Sequence, residues 1–300
     1  MSIESIESIK SIESILSIES ILSDGCEMLL LRPIIAAIAA GAIFALAPQW
    51  ARAEEPKPAP AKETPPPPFD AARAEKLIEQ LAAAKSDERL QAADELATAG
   101  GQAVPFVLKH AKDKNETLRQ GIAGVLGRIR TKQTLDALYE LLGDKSDAVR
   151  RRAICSVGEH RSPESIGKIK DFLLNKNALL RQETVMSLGR IADASSLALV
   201  KRSCLDDDRV VRQAAAVALG LIKDRSAIPD VIALLRDDDK TVRTIASVVL
   251  KQLSGADFGF NPADDEPKRA ESIQLWETWW KANKKSDTGG NTGTKAPRKE

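Results

Sequence analysis

Aromatic residues are scarce: one Tyr, four Trp and six Phe make up 4% of the 300 residues, although 43% of the chain is hydrophobic. The core must therefore be built from Ala, Leu, Ile and Val, side chains that let helices stack closely. Histidine is almost missing. His110 and His160 are too few and too far apart for a Ser/His/Asp set to be proposed around them. Three cysteines give no disulfide framework, and Cys155 and Cys204 read as small buried apolar residues. Neither charge sign dominates: the formal net charge is +1, and residues 54–300 hold 41 Lys/Arg against 37 Asp/Glu. A protein whose main business is gripping phosphate backbones needs a larger basic excess, so nucleic acid is not an expected partner. No strand pattern precedes a glycine-rich stretch, which excludes a phosphate-cradling loop, and Gly121, Gly124 and Gly127 read as small residues on a packed helix.

What the chain does have is a ladder. Arg119, Arg150, Arg181, Arg212 and Arg243 recur at one constant interval, without a slip. Six residues before them stand Asp113, Asp144, Asn175, Asp206 and Asp237, and directly before them Leu118, Val149, Leu180, Val211 and Val242. Eight residues after the first four come Gly127, Gly158, Gly189 and Gly220. A period near 30 with helical apolar spacing inside it means stacked helix pairs, each burying its apolar face only against its neighbours. The pairs are expected at about 70–99, 102–127, 132–158, 163–189, 194–220 and 226–252. The first carries Gln91 where the others carry Arg, and reads as an irregular cap.

Around this array the composition shifts. Residues 1–27 are low-complexity, with isoleucine at every third position from Ile3 to Ile21, a period that fits neither helix nor strand. Residues 28–53 have the parts of a secretory signal: MLLLRP, the apolar run Ile34–Ala47, then PQWARA. Met28 is a candidate true start, and cleavage is expected after Ala53. An uncleaved membrane anchor over Met28–Ala47 is the competing reading. Either way, the expected location is exported, periplasmic or at the cell envelope, with membrane contact only through this segment if it stays uncleaved. No lipobox cysteine follows the apolar run. Residues 54–68, rich in proline, read as an extended spacer. The array with its cap is expected over 69–284, ending in a helix from Glu266 to Lys284 with Ile273, Trp276 and Trp280 on one face. Residues 285–300, rich in Gly, Thr and Lys, read as a disordered tail.

Pro105 precedes Arg119 at the same distance as Pro229 precedes Arg243, with Asp113 and Asp237 eight residues after each proline. In this spacing the chain resembles the HEAT-repeat family, most closely its PBS-lyase-type subgroup. The DFGF stretch followed by a Trp-rich helix is also similar to the ending of exported bacterial HEAT-repeat proteins. The resemblance implies an all-α, right-handed α-solenoid of about six HEAT-like helix pairs with a C-terminal Trp-rich capping helix. It further implies that the second helix of each pair lines the concave surface, and that Asp113, Asp144, Asp206 and Asp237 form a ladder with the arginines linking adjacent repeats. If each arginine pairs with the residue six before it, Asn175 makes a weaker rung than Asp144, and Arg181→Ala should cost less than Arg150→Ala. The family's deoxyhypusine hydroxylase holds iron through repeated His-Glu pairs. Here His110 precedes Ala111, and Glu159-His160 is the reversed order, so no metal or cofactor is expected.

The function expected is that of a non-enzymatic scaffold which binds a protein partner through its concave face. A lyase or other cofactor-handling enzyme of the PBS-lyase group is the alternative, and it rests on fold likeness. The residue after each arginine and those four and eight further on share a helix face. Gln120, Arg128, Arg151, Gln182, Arg190 and Gln213 are the candidate contacts there. Arg151 and Arg190 are expected to dominate, because arginine is enriched among energetically important interface residues.

Overall fold

The computed structural model describes residues 69–83 and 85–284. The readings for the SIE-rich segment, the export signal, the proline-rich spacer and the C-terminal tail lie outside the described residues. Thirteen α-helices make up the described part, with no strand among the described residues.

They alternate short and long. The first members are α1 (Ala71–Gln80), α3 (Val104–Lys109), α5 (Lys132–Leu141), α7 (Ile166–Ile169), α9 (Ala194–Ser203) and α11 (Ile228–Leu234). The second members are α2 (Ser86–Ala99), α4 (Glu116–Arg128), α6 (Asp147–His160), α8 (Ala178–Ile191), α10 (Arg209–Ile222) and α12 (Lys240–Ser254). From α2 to α12 the second helices pack on one another in a continuous row, and the first members pack against them, together forming a solenoid. α13 (Glu266–Asn283) closes the stack on α11.

The five second helices from α4 onward start at a capping side chain, whereas α2 follows Lys85 without one. Asn115, Ser146, Asn177, Asp208 and Asp239 sit two residues after the ladder Asp or Asn. Each has extended backbone and accepts a backbone N–H of the first turn with its side chain. This satisfies donors that a helix start leaves open. Pro105 and Pro229 occupy the first turn of α3 and α11, where a missing N–H costs nothing.

The row of second helices is held close by glycine. A Cβ on Gly127 would lie 2.5 Å from Ser156 Cβ, one on Gly158 2.7 Å from Ser187 Cβ, and one on Gly189 2.7 Å from both Cα and Cβ of Ala218. Each glycine thus marks the crossing of one second helix on the next. The core between the two rows is aliphatic, with Ile122, Leu126, Leu138, Ile154, Leu188 and Leu219 completely buried. Cys204 is buried with it as a free thiol, whereas Cys155 is buried outside that cluster and is not free, so the apolar reading fits Cys204 alone.

One element departs from the expected pattern. The first member of the fourth pair is not a continuous helix: a 3-10 turn at Pro163–Ser165, a single α-turn at Ile166–Ile169 and a second 3-10 stretch at Lys170–Leu174 replace it. Pro163 removes a donor and Gly167 weakens the helix interior. Leu174 is left 84% exposed at its end.

Candidate functional site: the arginine ladder and the second-helix face

The ladder arginines share one anchor. The Nη1 of Arg119, Arg150, Arg181, Arg212 and Arg243 donates to the carbonyl six residues earlier, on Asp113, Asp144, Asn175, Asp206 and Asp237, at 2.6–2.8 Å. Arg89 does the same to the carbonyl of Ala83 at 2.8 Å. Arg89 therefore stands at the first rung, and Gln91 does not. The step from Arg89 to Arg119 is one residue shorter than every later step, so a strict register passes over it.

The carboxylate partner lies in the following repeat, not six residues back. Arg119 grips Asp144 through Nε and Nη2 at 2.7 and 2.9 Å, Arg181 grips Asp206 at 2.8 Å twice, and Arg212 grips Asp237 at 2.6 and 3.0 Å. A planar guanidinium and a carboxylate match in this two-bonded arrangement. The same carboxylates accept the backbone N–H two residues on, at Ser146, Asp208 and Asp239. Each ladder Asp therefore fixes its own turn while holding the preceding repeat. Arg119 lowers the pKa of Asp144 from the usual carboxylate range, and Asp144 in turn raises that of Arg119.

Two rungs differ. The forward position for Arg150 is Asn175, and Arg150 turns instead to Asp147 on its own helix. Asp147 reaches the next repeat through Asn177, whose Nδ2 donates to it at 2.7 Å. Arg243 has no following repeat and donates to the carbonyl of Pro262 at 2.9 and 3.3 Å. That contact ties the last pair to the segment leading into α13.

The candidate contact residues on the second helices fare unequally. Gln120 and Gln182 are half-buried there. Gln213 donates to Asp239 at 3.1 Å and Arg128 pairs with Asp94 at 2.5 Å. Arg151 is half-buried. Arg190 corrects the sequence reading: it is only 7% exposed, and its Nη1 bonds Glu183 at 2.9 Å. A buried, paired arginine is not an available contact. The residue next to Arg151 is the one sequence reasoning missed. Arg152 lies against Gly124 of α4, where an added Cβ would come within 2.9 Å of its Nε and Nη2. Periodicity could not single it out, because its equivalents are Gly121, Glu183, Ala214 and Ile245.

Towards the C-terminal pairs the same face turns apolar, with Val217, Leu221, Ile245 and Val248 half-buried. Two clefts lie elsewhere, on the turn edge. One of about 750 Å³ runs between α3 and α5, and one of about 490 Å³ between α9 and α11. The histidines serve structure: His110 bonds Glu75 at 2.8 Å, and His160 bonds the carbonyl of Leu126 at 3.2 Å. Burial pushes the His160 pKa down. Among the described residues no group of three or more His, Cys, Asp or Glu could hold a metal ion, and no helix is long and apolar enough to cross a membrane.

A family model for HEAT repeats matches residues 74–157, 138–220 and 206–258, more than half of the chain. The chain belongs to the HEAT-repeat family. Among solved structures, this HEAT-repeat chain is similar to the YibA protein of Escherichia coli, at 26% identity over 59% of this chain and 69% of that one, with a TM-score of 0.50. A designed armadillo repeat protein in complex with a (KR)4 peptide matches at 17% identity over 59% of this chain and 98% of that one, with a TM-score of 0.40. The complex of CpcE and CpcF of phycocyanin lyase from Nostoc matches at 17% identity over 70% of this chain and 83% of that one, also at 0.40. No curated protein matches the chain.

Proposed function

We propose that this protein is a non-enzymatic scaffold that binds a protein partner along the concave face lined by its second helices, at the cell envelope or after export. The observation that carries the reading is the face itself. Six second helices present one continuous surface, polar and basic at Arg128, Arg151 and Arg152 and apolar at Val217, Leu221, Ile245 and Val248. A surface with a charged end and an apolar end is suited to a segment of matching character. Export is supported by the order of basic start, apolar run and small-residue end over residues 28–53.

The test is a pull-down from the envelope fraction with the parent and with a Val217→Glu, Leu221→Glu variant whose helical content is unchanged. A protein held by the parent and lost by the variant supports the reading. Equal capture by both overturns it. The envelope form should begin at Glu54, and N-terminal sequencing that finds Met28 intact would establish the anchor instead.

A further inference from the structure

We propose that the second-helix face carries a carboxylate-binding site centred on Arg152, which takes an acidic side chain from an extended segment of the protein partner. This rests on the concave-face reading and names the chemistry of its charged end.

Arg152 differs from the other arginines of the face. Arg128 is paired with Asp94 and Arg190 with Glu183, at 2.5 and 2.9 Å. Arg151 is also engaged. No hydrogen bond or ion pair joins Arg152 to any other described residue, although its side chain is half-buried and pressed against Gly124. The nearby carboxylates do not meet it. Glu183, at the equivalent position one repeat on, is committed to Arg190, and Glu159 acts on Arg152 only through space. Taking a cation partly out of water without giving it an acceptor has a cost. Burial accordingly pulls the Arg152 pKa below the ordinary arginine value, although the group stays charged. An incoming carboxylate would relieve that cost, and the planar fork of donors fits one with two bonds. Arg128 and Arg151 add positive potential beside it, which disfavours a cationic ligand.

The absence of a side chain at Gly124 leaves room for the guanidinium against α4. From α6, which carries Arg152, to α10, which carries Val217 and Leu221, is two helix steps. At roughly 8–10 Å each this is about 16–20 Å. An extended chain covers that distance in about five or six residues at roughly 3.3 Å per residue. The occupant is therefore an extended segment with an Asp or Glu about five or six residues from an aliphatic pair.

The probe is an acetylated, amidated fluorescent peptide carrying two aspartates, a four-residue Gly/Ser spacer and Leu-Val-Leu, titrated by anisotropy against the full chain. Its blocked ends remove any terminal carboxylate. The parent should bind it, and Arg152→Gln should weaken binding by about tenfold or more, the range for a charge-assisted hydrogen-bonded pair. Arg152→Lys keeps the charge but loses the fork, and should fall between. The same peptide with Asn for Asp should bind the parent as weakly as the Asp peptide binds Arg152→Gln, with no further loss when both changes are combined. Circular dichroism of each variant checks the fold. Unchanged binding by a folded Arg152→Gln, or no binding by the parent, overturns the site. If Arg152→Gln binds normally while Val217→Glu does not, the site fails and the concave-face reading stands. If neither change matters, both fail.

Discussion

Arg150 and Arg181 occupy equivalent positions in successive repeats and end on different partners. Arg181 makes a two-bonded, largely shielded pair with Asp206, with both side chains about 15% exposed. Arg150 finds Asn175 in the forward position and falls back on Asp147, whose side chain is 45% exposed. Exposed pairs contribute little, because water and ions screen them. Shielded charge-assisted bonds contribute more, and cutting one leaves a carboxylate half-desolvated. Arg181→Ala should therefore lower stability by on the order of 1 kcal/mol more than Arg150→Ala, read from denaturant midpoints. That is the reverse of the order obtained by pairing each arginine with the residue six before it. The same ladder predicts a pH effect at Asp144. Hydrogen bonding from Arg119 holds its pKa below the ordinary value, so its contribution is fully present above the unfolded-state value of about 4. It is lost as pH falls through the lower folded value. Asp144→Asn should be less stable than the parent at pH 7, and the gap should narrow as pH drops below about 4. A gap that is constant with pH would count against the charge of Asp144 as its source.

Helix-level packing makes the glycines unequal. Gly158 in α6 faces Ser187, with an added Cβ 2.7 Å from its Cβ and 2.8 Å from its Cα. Backbone cannot rotate away as a side chain can, so α6 and α8 would have to separate. Gly167 in the broken first member of the fourth pair has nothing within 4 Å. Gly158→Ala should cost about 1–3 kcal/mol by overpacking, whereas Gly167→Ala should gain about 0.5–1 kcal/mol by restoring helix propensity. Thermal unfolding of the two variants, shifted in the same direction, would contradict this. The constant spacing of Gly127, Gly158, Gly189 and Gly220 made these crossings legible in the sequence, as it did the arginines. It hid what breaks the period: Arg89, displaced by one residue, and the fourth pair's interrupted first helix, where Pro163 and Gly167 outweigh the repeat. It also hid function that varies in identity. The helix caps at positions 115, 146, 177, 208 and 239 vary among Asn, Ser and Asp, so no constant residue marks them. Arg152 was invisible too, since no repeat equivalent shares its chemistry and only the packing against Gly124 sets it apart.

For the array as a whole, each pair touches its neighbours only, so stability is a sum of local units and interfaces. The C-terminal end depends on α13. Trp276 is 1% exposed, stands edge-on to Phe258 with ring centres 4.7 Å apart, and leaves its indole Nε1 without a hydrogen-bond partner among the described residues. Arg236 holds the same helix through Glu277 at 3.0 Å. Because the indole N–H gains nothing, the contribution of Trp276 is volume and apolar contact. Trp276→Ala should cost about 3–5 kcal/mol at this interface, whereas Trp276→Phe should cost much less. A one-dimensional array confines the damage. Hydrogen exchange of Trp276→Ala should be faster in α11, α12 and α13, fading by α9 and α10, with α1 to α6 protected as in the parent. Uniformly faster exchange from α1 to α13 would mean that the array unfolds as one cooperative block, and that the ladder couples the repeats more strongly than nearest-neighbour contacts provide.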